Sequence, residues 1–241
     1  MTATSTGPAP LSDFRLPFGQ RVFSIVTVAI LAVVTGIMMA FAVVVFATQW
    51  ALGLFLALCA AFIGGLTGYT FRDLRGKLGL HIVFGGDAVT LHLPAWRSLI
   101  HRPPAQQLVV PYADIESIET RNEAYRSLGM ASMQRVYVLR CKGDRLIFLF
   151  EERALATALA SALYACVVTE LLQRANVPLR ELGTVEGAGG LLSVWGTHAP
   201  DWAAPSLPRD QALRLWRHAA STGALAFSLI IMLAAMRAFG G

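Results

Sequence analysis

The chain has 241 residues, 55% of them hydrophobic and only 15% charged, where an ordinary soluble domain carries about 25% charge. That balance argues against a water-soluble globule and for an integral membrane protein. The formal net charge of +5 is carried largely by arginines beside apolar runs, so it reads as membrane flanks; a nucleic-acid face needs a denser basic and aromatic pattern.

In chain order, residues 1–21 begin MTATSTGPAPLSDF, a small, polar, proline-containing stretch that reads as a disordered tail. From Val22 to Thr70 there is no Asp, Glu, Lys, Arg or His, a run of about 49 residues where one membrane span needs about 20. The expectation is a transmembrane helical hairpin over 22–71, broken near ATQWALG, with Trp50 as an interfacial anchor. A secretory signal peptide would have a shorter apolar core and a small-residue cleavage site. Gly64 and Gly68 stand at GxxxG spacing, and Gly36 and Ala40 give the first span a small-residue face. Such faces let helices approach closely. They serve either to dock another membrane protein or to pack these helices on each other, and the sequence leaves both open. Arg15 and Arg21 precede the hairpin, and Arg72, Arg75 and Lys77 follow it. The positive-inside rule therefore places the N-terminus and the segment after Thr70 in the cytoplasm.

Residues 78–180 change character. GLHIVF and AVTLHL flank Gly85-Gly86-Asp87, and QRVYVLRC and RLIFLF flank Lys142-Gly143-Asp144, two hairpin patterns. Between them QLVVPYADIESIETR supplies one or two further strands divided at Pro111. In the second of these Ile115 and Ile118 are expected to face a core and Glu116, Glu119 and Arg121 to face water. After Phe150 apolar residues recur at helical spacing, with Glu151 and Glu152 at the expected helix N-terminus and Arg174, Asn176 and Pro178 at its end. The alternative is a fourth span over 154–169.

Strands closed by one C-terminal helix, with VVPYADIESIET leading into a hairpin and then FEERALATALASALYACVVTELLQRA, resemble the bacterial pleckstrin-homology-like (PH-like) domains. In that group a proline or polar turn followed by Asp-Ile commonly opens a strand, as Asp114-Ile115 does here. The resemblance covers residues 78–178. It implies an α+β membrane protein bearing a small antiparallel β barrel or sandwich used for assembly or binding, with no catalytic motif to carry over. A third membrane helix and the long segment 179–207 depart from the simplest pattern.

Residues 181–207 read as an irregular connector that still packs, because Leu191, Trp195 and Trp202 are too apolar for a free linker. Pro208 suits the first turn of a helix through RDQALRLWRHAA. That helix leads into a third span, completing an element over 208–239 in which Ala219–Met236 is uncharged. Trp216 is a second interface anchor, and Gly223 and Ser228 give this span its small-residue face.

Candidate chemistry is sparse. Cys59, Cys141 and Cys166 form no CxxC and no Cys/His pair, and read as reduced, packed residues. His81 and His92 lie on facing strands without a third ligand. FGGDAV lacks the Lys-Ser/Thr of a P-loop, and no GxSxG is present. No cofactor, metal or catalytic residue is assigned. Arg97 and Arg102, with Arg214 and Arg217, are candidates for an anionic lipid headgroup or an acidic partner. The expected protein is a non-catalytic accessory or scaffolding subunit of a bacterial inner-membrane complex. Its expected partners are membrane lipids and other integral membrane subunits, and not nucleic acid. The alternative is a membrane-tethered lipid-binding or sensory module.

Overall fold

The computed structural model describes residues 11–95, 97–98, 100, 103–127, 130–154, 163–187 and 199–221. It is a mixed α+β structure with two long apolar helices and two four-stranded sheets. Helix α1 (Phe18–Phe46) and helix α2 (Trp50–Gly79) are each long and apolar enough to cross a membrane. In their most apolar windows only 6% and 11% of residues are buried, so the greasy side chains point outward instead of into a protein core. The turn between them is three residues long because the helices nearly touch there: a Cβ on Gly53 would stand 2.5 Å from the Cα of Phe46. The break falls where Gln49 and Trp50 marked it.

The first sheet has the order β1-β2-β3-β4: β1 (Asp13–Arg15), β2 (His81–Phe84), β3 (Ala88–Leu93) and β4 (Gln106–Pro111). All neighbours are antiparallel, with Arg15 opposite His81 and His81 opposite His92. Strand β1 lies inside the stretch read as a disordered tail. Phe14 and Leu16 are buried, and Arg174 donates to the Leu11 carbonyl, which together fix the segment.

The second sheet has the order β7-β6-β5-β8. It contains β5 (Ile115–Ser127), β6 (Met130–Cys141), β7 (Arg145–Arg153) and β8 (Leu179–Glu186). The β6–β7 turn uses Gly143 at φ 73 and Asp144 at φ 55, as the Lys-Gly-Asp sequence requires. Glu151 and Glu152 end strand β7 and do not open a helix. Helix α3 (Ala165–Ala175) is the described part of the covering helix, with Val167, Val168 and Leu171 buried and Asn176 in the left-handed conformation ending it. That placement makes its described turns a cover for the sheets; the rest of the 154–169 question lies outside the described residues. Strand β8 runs parallel to β5, inside the segment read as connector. A fourth described helix, α4, spans 209–221, and the third apolar run from Thr222 onward lies outside the described residues.

One core joins both sheets and α3. Ile82, Val89, Leu91, Val110, Ile118, Leu139, Leu149, Val167 and Leu171 are its fully buried members. Their strand positions alternate with period two, which places them on one face of each sheet. Ile118→Ala is expected to cost about 2–5 kcal/mol, whereas the neighbouring exposed Glu116→Ala should stay within about 0.5 kcal/mol. Denaturant unfolding of the detergent-solubilised protein measures both.

Candidate interaction site

Strand β5 of the second sheet is buried on both faces, and its second face is polar. Odd positions of β5 carry Ser117, Glu119, Arg121, Glu123 and Tyr125, and all five are buried. Glu119 and Arg121 were expected in water. Two covers, both remote in sequence, put them inside: a strap over 199–207 and the loop over 94–100.

The strap lies across the Glu119–Arg121 end. Arg121 donates to the carbonyls of Pro200 and Asp201, each at 2.7 Å, and its guanidinium sits 4.1 Å from the Trp202 ring centroid. The Trp202 indole donates to Glu119, which Arg140 also holds at 2.6 Å. Burial pushes the Glu119 carboxyl up, but the hydrogen bonds from Arg140 and Trp202 outweigh it and hold the group below the usual carboxylate range. Ser206 accepts from the Thr184 amide, and the Leu207 amide donates to the Thr184 carbonyl, which ties the strap to β8. The tie is close: a Cβ on Gly183, at φ 81, would overlap the Ser206 hydroxyl.

At the centre, Arg121 and Glu123 form an ion pair at 2.8 Å with both side chains 1% exposed. The Tyr125 hydroxyl donates to the other Glu123 oxygen at 2.5 Å, and burial first, then the Glu123 charge, push that phenol well above its ordinary range. Tyr125 packs against Ile100 and the half-buried Tyr69 of α2. Ser98 donates to Glu151 at 2.7 Å, and Arg72 of α2 donates to the Ser98 carbonyl. A continuous polar seam thus runs from the strap, through the second sheet, to the end of α2.

Arg97 is buried beside this seam and does not lie on a surface. It is 7% exposed and donates to the carbonyls of Phe148, Pro94 and Pro104. Burial lowers its guanidinium to about 10, which still leaves it charged near neutral pH. Three backbone acceptors now occupy the group expected to meet a lipid headgroup. Arg102 lies outside the described residues. Arg214 and Arg217 are exposed on α4, Arg214 pairing with Asp210 at 3.1 Å. Trp216 is half-buried, packed with Leu215 and Ala219 against Ala124 and Met133 of the second sheet and Ala154 just beyond β7.

On the helices the small residues divide. Gly64 faces inward: a Cβ there would stand 3.3 Å from the Thr35 methyl, and Thr35 and Thr67 hydroxyls meet at 3.2 Å. Gly36 has open space beyond it, and Ala40, one turn away, is exposed, as are Gly68 and Trp50. Gly223 and Ser228 lie outside the described residues. His81 and His92 stack at 5.3 Å between ring centroids; among the described residues no group of three His, Cys, Asp or Glu is placed to hold a metal.

No family model, curated protein or solved structure matches this chain.

Two measurements test the seam and the buried carboxyl beside it. Arg121→Ala leaves Glu123 buried without its counter-charge and should cost about 3–5 kcal/mol, while Arg121→Met with Glu123→Leu should cost much less. Beside the seam, Glu152 accepts from the Tyr164 amide at 2.9 Å through one oxygen, and its other oxygen is buried without a hydrogen-bond partner. Burial raises its carboxyl above the usual range, against the opposing Tyr164 bond. The folded state then holds a proton that the unfolded chain releases, so stability falls as pH rises from the ordinary glutamate range through the raised folded value. Glu152→Gln should remove that slope, exceeding the parent in stability at pH 7 and matching it at pH 4, as read by unfolding at the two pH values.

Proposed function

We propose that the chain is a non-catalytic accessory or scaffolding subunit of a larger bacterial inner-membrane assembly. In this reading α1 and α2 cross the bilayer, the sheets lie on the cytoplasmic side, and the run after Ser221 supplies a third span. Residues 78–178 form a PH-like domain, a reading supported by the two sheets about one core with α3 against it; β1 and the parallel β8 are additions to that pattern. The pairing of β1 with β2 brings the outer ends of the hairpin to the same end of the molecule, as two spans with a tight turn require. The basic flanks assign that end to the cytoplasm.

The observation that carries the assembly role is the division of small residues. The inward set, Thr35, Gly64 and Thr67, is used up by the hairpin itself. Gly36 and Ala40 present an outward small-xxx-small face with free space beyond it, the kind of surface on which a second membrane helix packs closely.

Mild-detergent extraction of native membranes, followed by native-gel sizing and mass spectrometry of the co-migrating chains, tests the proposal. The expected result is a defined set of other integral membrane subunits, lost when Gly36→Leu and Ala40→Leu are combined while the variant remains folded. Migration as a monomer or homo-oligomer, or turnover by the isolated chain, would overturn the reading.

A further inference from the structure

A groove of about 410 Å³ lies between α4 and the end of β5, outside the polar seam. It is lined by Arg126, Gln211, Arg214 and His218, by the carboxylate of Glu186, and by Leu207 and Leu215. Arg126 from β5 and Arg214 from α4 thus border one groove, each beside an acidic partner. Arg126 is paired with Glu186 at 3.1 Å and Arg214 with Asp210 at 3.1 Å. Both pairs are solvent-exposed, with side-chain exposures of 59%/44% and 71%/71%. Exposed pairs of this kind contribute little stability, so a phosphate that both guanidiniums can reach competes readily for them. Guanidinium groups match its oxygens in charge and in geometry.

The position of the groove identifies the source of the phosphate. Arg126 directly follows Tyr125, which packs on Ile100 and Tyr69. Tyr69 stands at the end of the uncharged run of α2, which closes at Thr70. On the other wall, α4 runs through His218 toward the uncharged stretch that continues to Met236. Arg126 therefore lies near the level where the apolar surface of α2 gives way to charge, which is the headgroup layer when α2 crosses the bilayer, and in the sequence α4 leads from charged residues into an uncharged run. We propose that this groove binds the phosphodiester of an anionic phospholipid, with Arg126 and Arg214 on the phosphate and Leu207 and Leu215 beneath the glycerol and first acyl carbons. The assignment rests on α1 and α2 crossing the bilayer.

The experiment uses the full chain in a neutral detergent, titrated with dioleoyl phosphatidylglycerol or dioleoyl phosphatidylcholine and read by native mass spectrometry. Retention of one phosphatidylglycerol per chain, saturable and in preference to phosphatidylcholine, is expected. Arg126→Gln and Arg214→Gln should each weaken it about fivefold, with melting temperature unchanged. Arg209→Gln, a charge on α4 outside the groove, should leave it intact. Equal retention of the two lipids, or equal weakening by Arg209→Gln, would overturn the site. Displacement of the lipid by inorganic phosphate at the same concentration would overturn the lipid assignment in favour of a soluble phosphate. An alkaline carbonate wash of native membranes decides the bilayer premise separately: retention in the membrane is expected, and release would remove the argument from position and the proposal with it.

Discussion

The buried second face of the β5–β8 sheet sets most of what else this chain must do. A sheet with one wet face could leave Glu119, Arg121 and Glu123 to solvent at no cost. Once those groups are covered, each charge needs a counter-charge and each lone pair a donor. The strap satisfies Arg121 through the Pro200 and Asp201 carbonyls, Arg140 and Trp202 satisfy Glu119, and the 94–100 loop satisfies Glu151 through Ser98. The covers are thus held by directional bonds instead of apolar area alone. A slip of either would strand charge in a low-dielectric interior.

The same seam joins the sheets to the helices. Tyr69 and Arg72 of α2 meet Tyr125, Ile100 and the Ser98 carbonyl. On the opposite side, α1 begins three residues after β1 ends, and Leu80 alone separates α2 from β2. The helical hairpin is thus tied to the sheets both by side-chain contacts and by short connections.

The helical hairpin, its break at Gln49–Trp50, both strand hairpins and a helix covering the sheets were legible in the sequence because each is marked locally. Long uncharged runs, turn glycines and period-two alternation depend on near neighbours. What was not legible depends on residues far away in the chain. Strand β1 is three residues with one buried side chain, too short to carry a period; its partner β2 is sixty-odd positions on. In β5 the pattern of acids and arginine at odd positions signals a polar face correctly, but alternation says nothing about whether that face is covered. Arg97 read as a surface charge because its acceptors are backbone carbonyls, which no side-chain pattern records. The parallel strand β8 was taken for connector because Gly183 and the charges at Arg180, Glu181 and Glu186 outweigh its apolar residues.

The interleaving of sheet and hairpin bears on how the chain is made. Strand β1 leaves the ribosome before the helical hairpin, and β2 after it. With α1 and α2 across a bilayer, the two strands meet because both outer ends of the hairpin lie on one side. Insertion of a single helix leaves β1 and β2 on opposite sides of the membrane, and the first sheet loses an edge that buries Phe14. In a chain whose helices cross a bilayer, closure of that sheet therefore distinguishes the paired hairpin from a half-inserted one, which leaves the β2 edge unpaired.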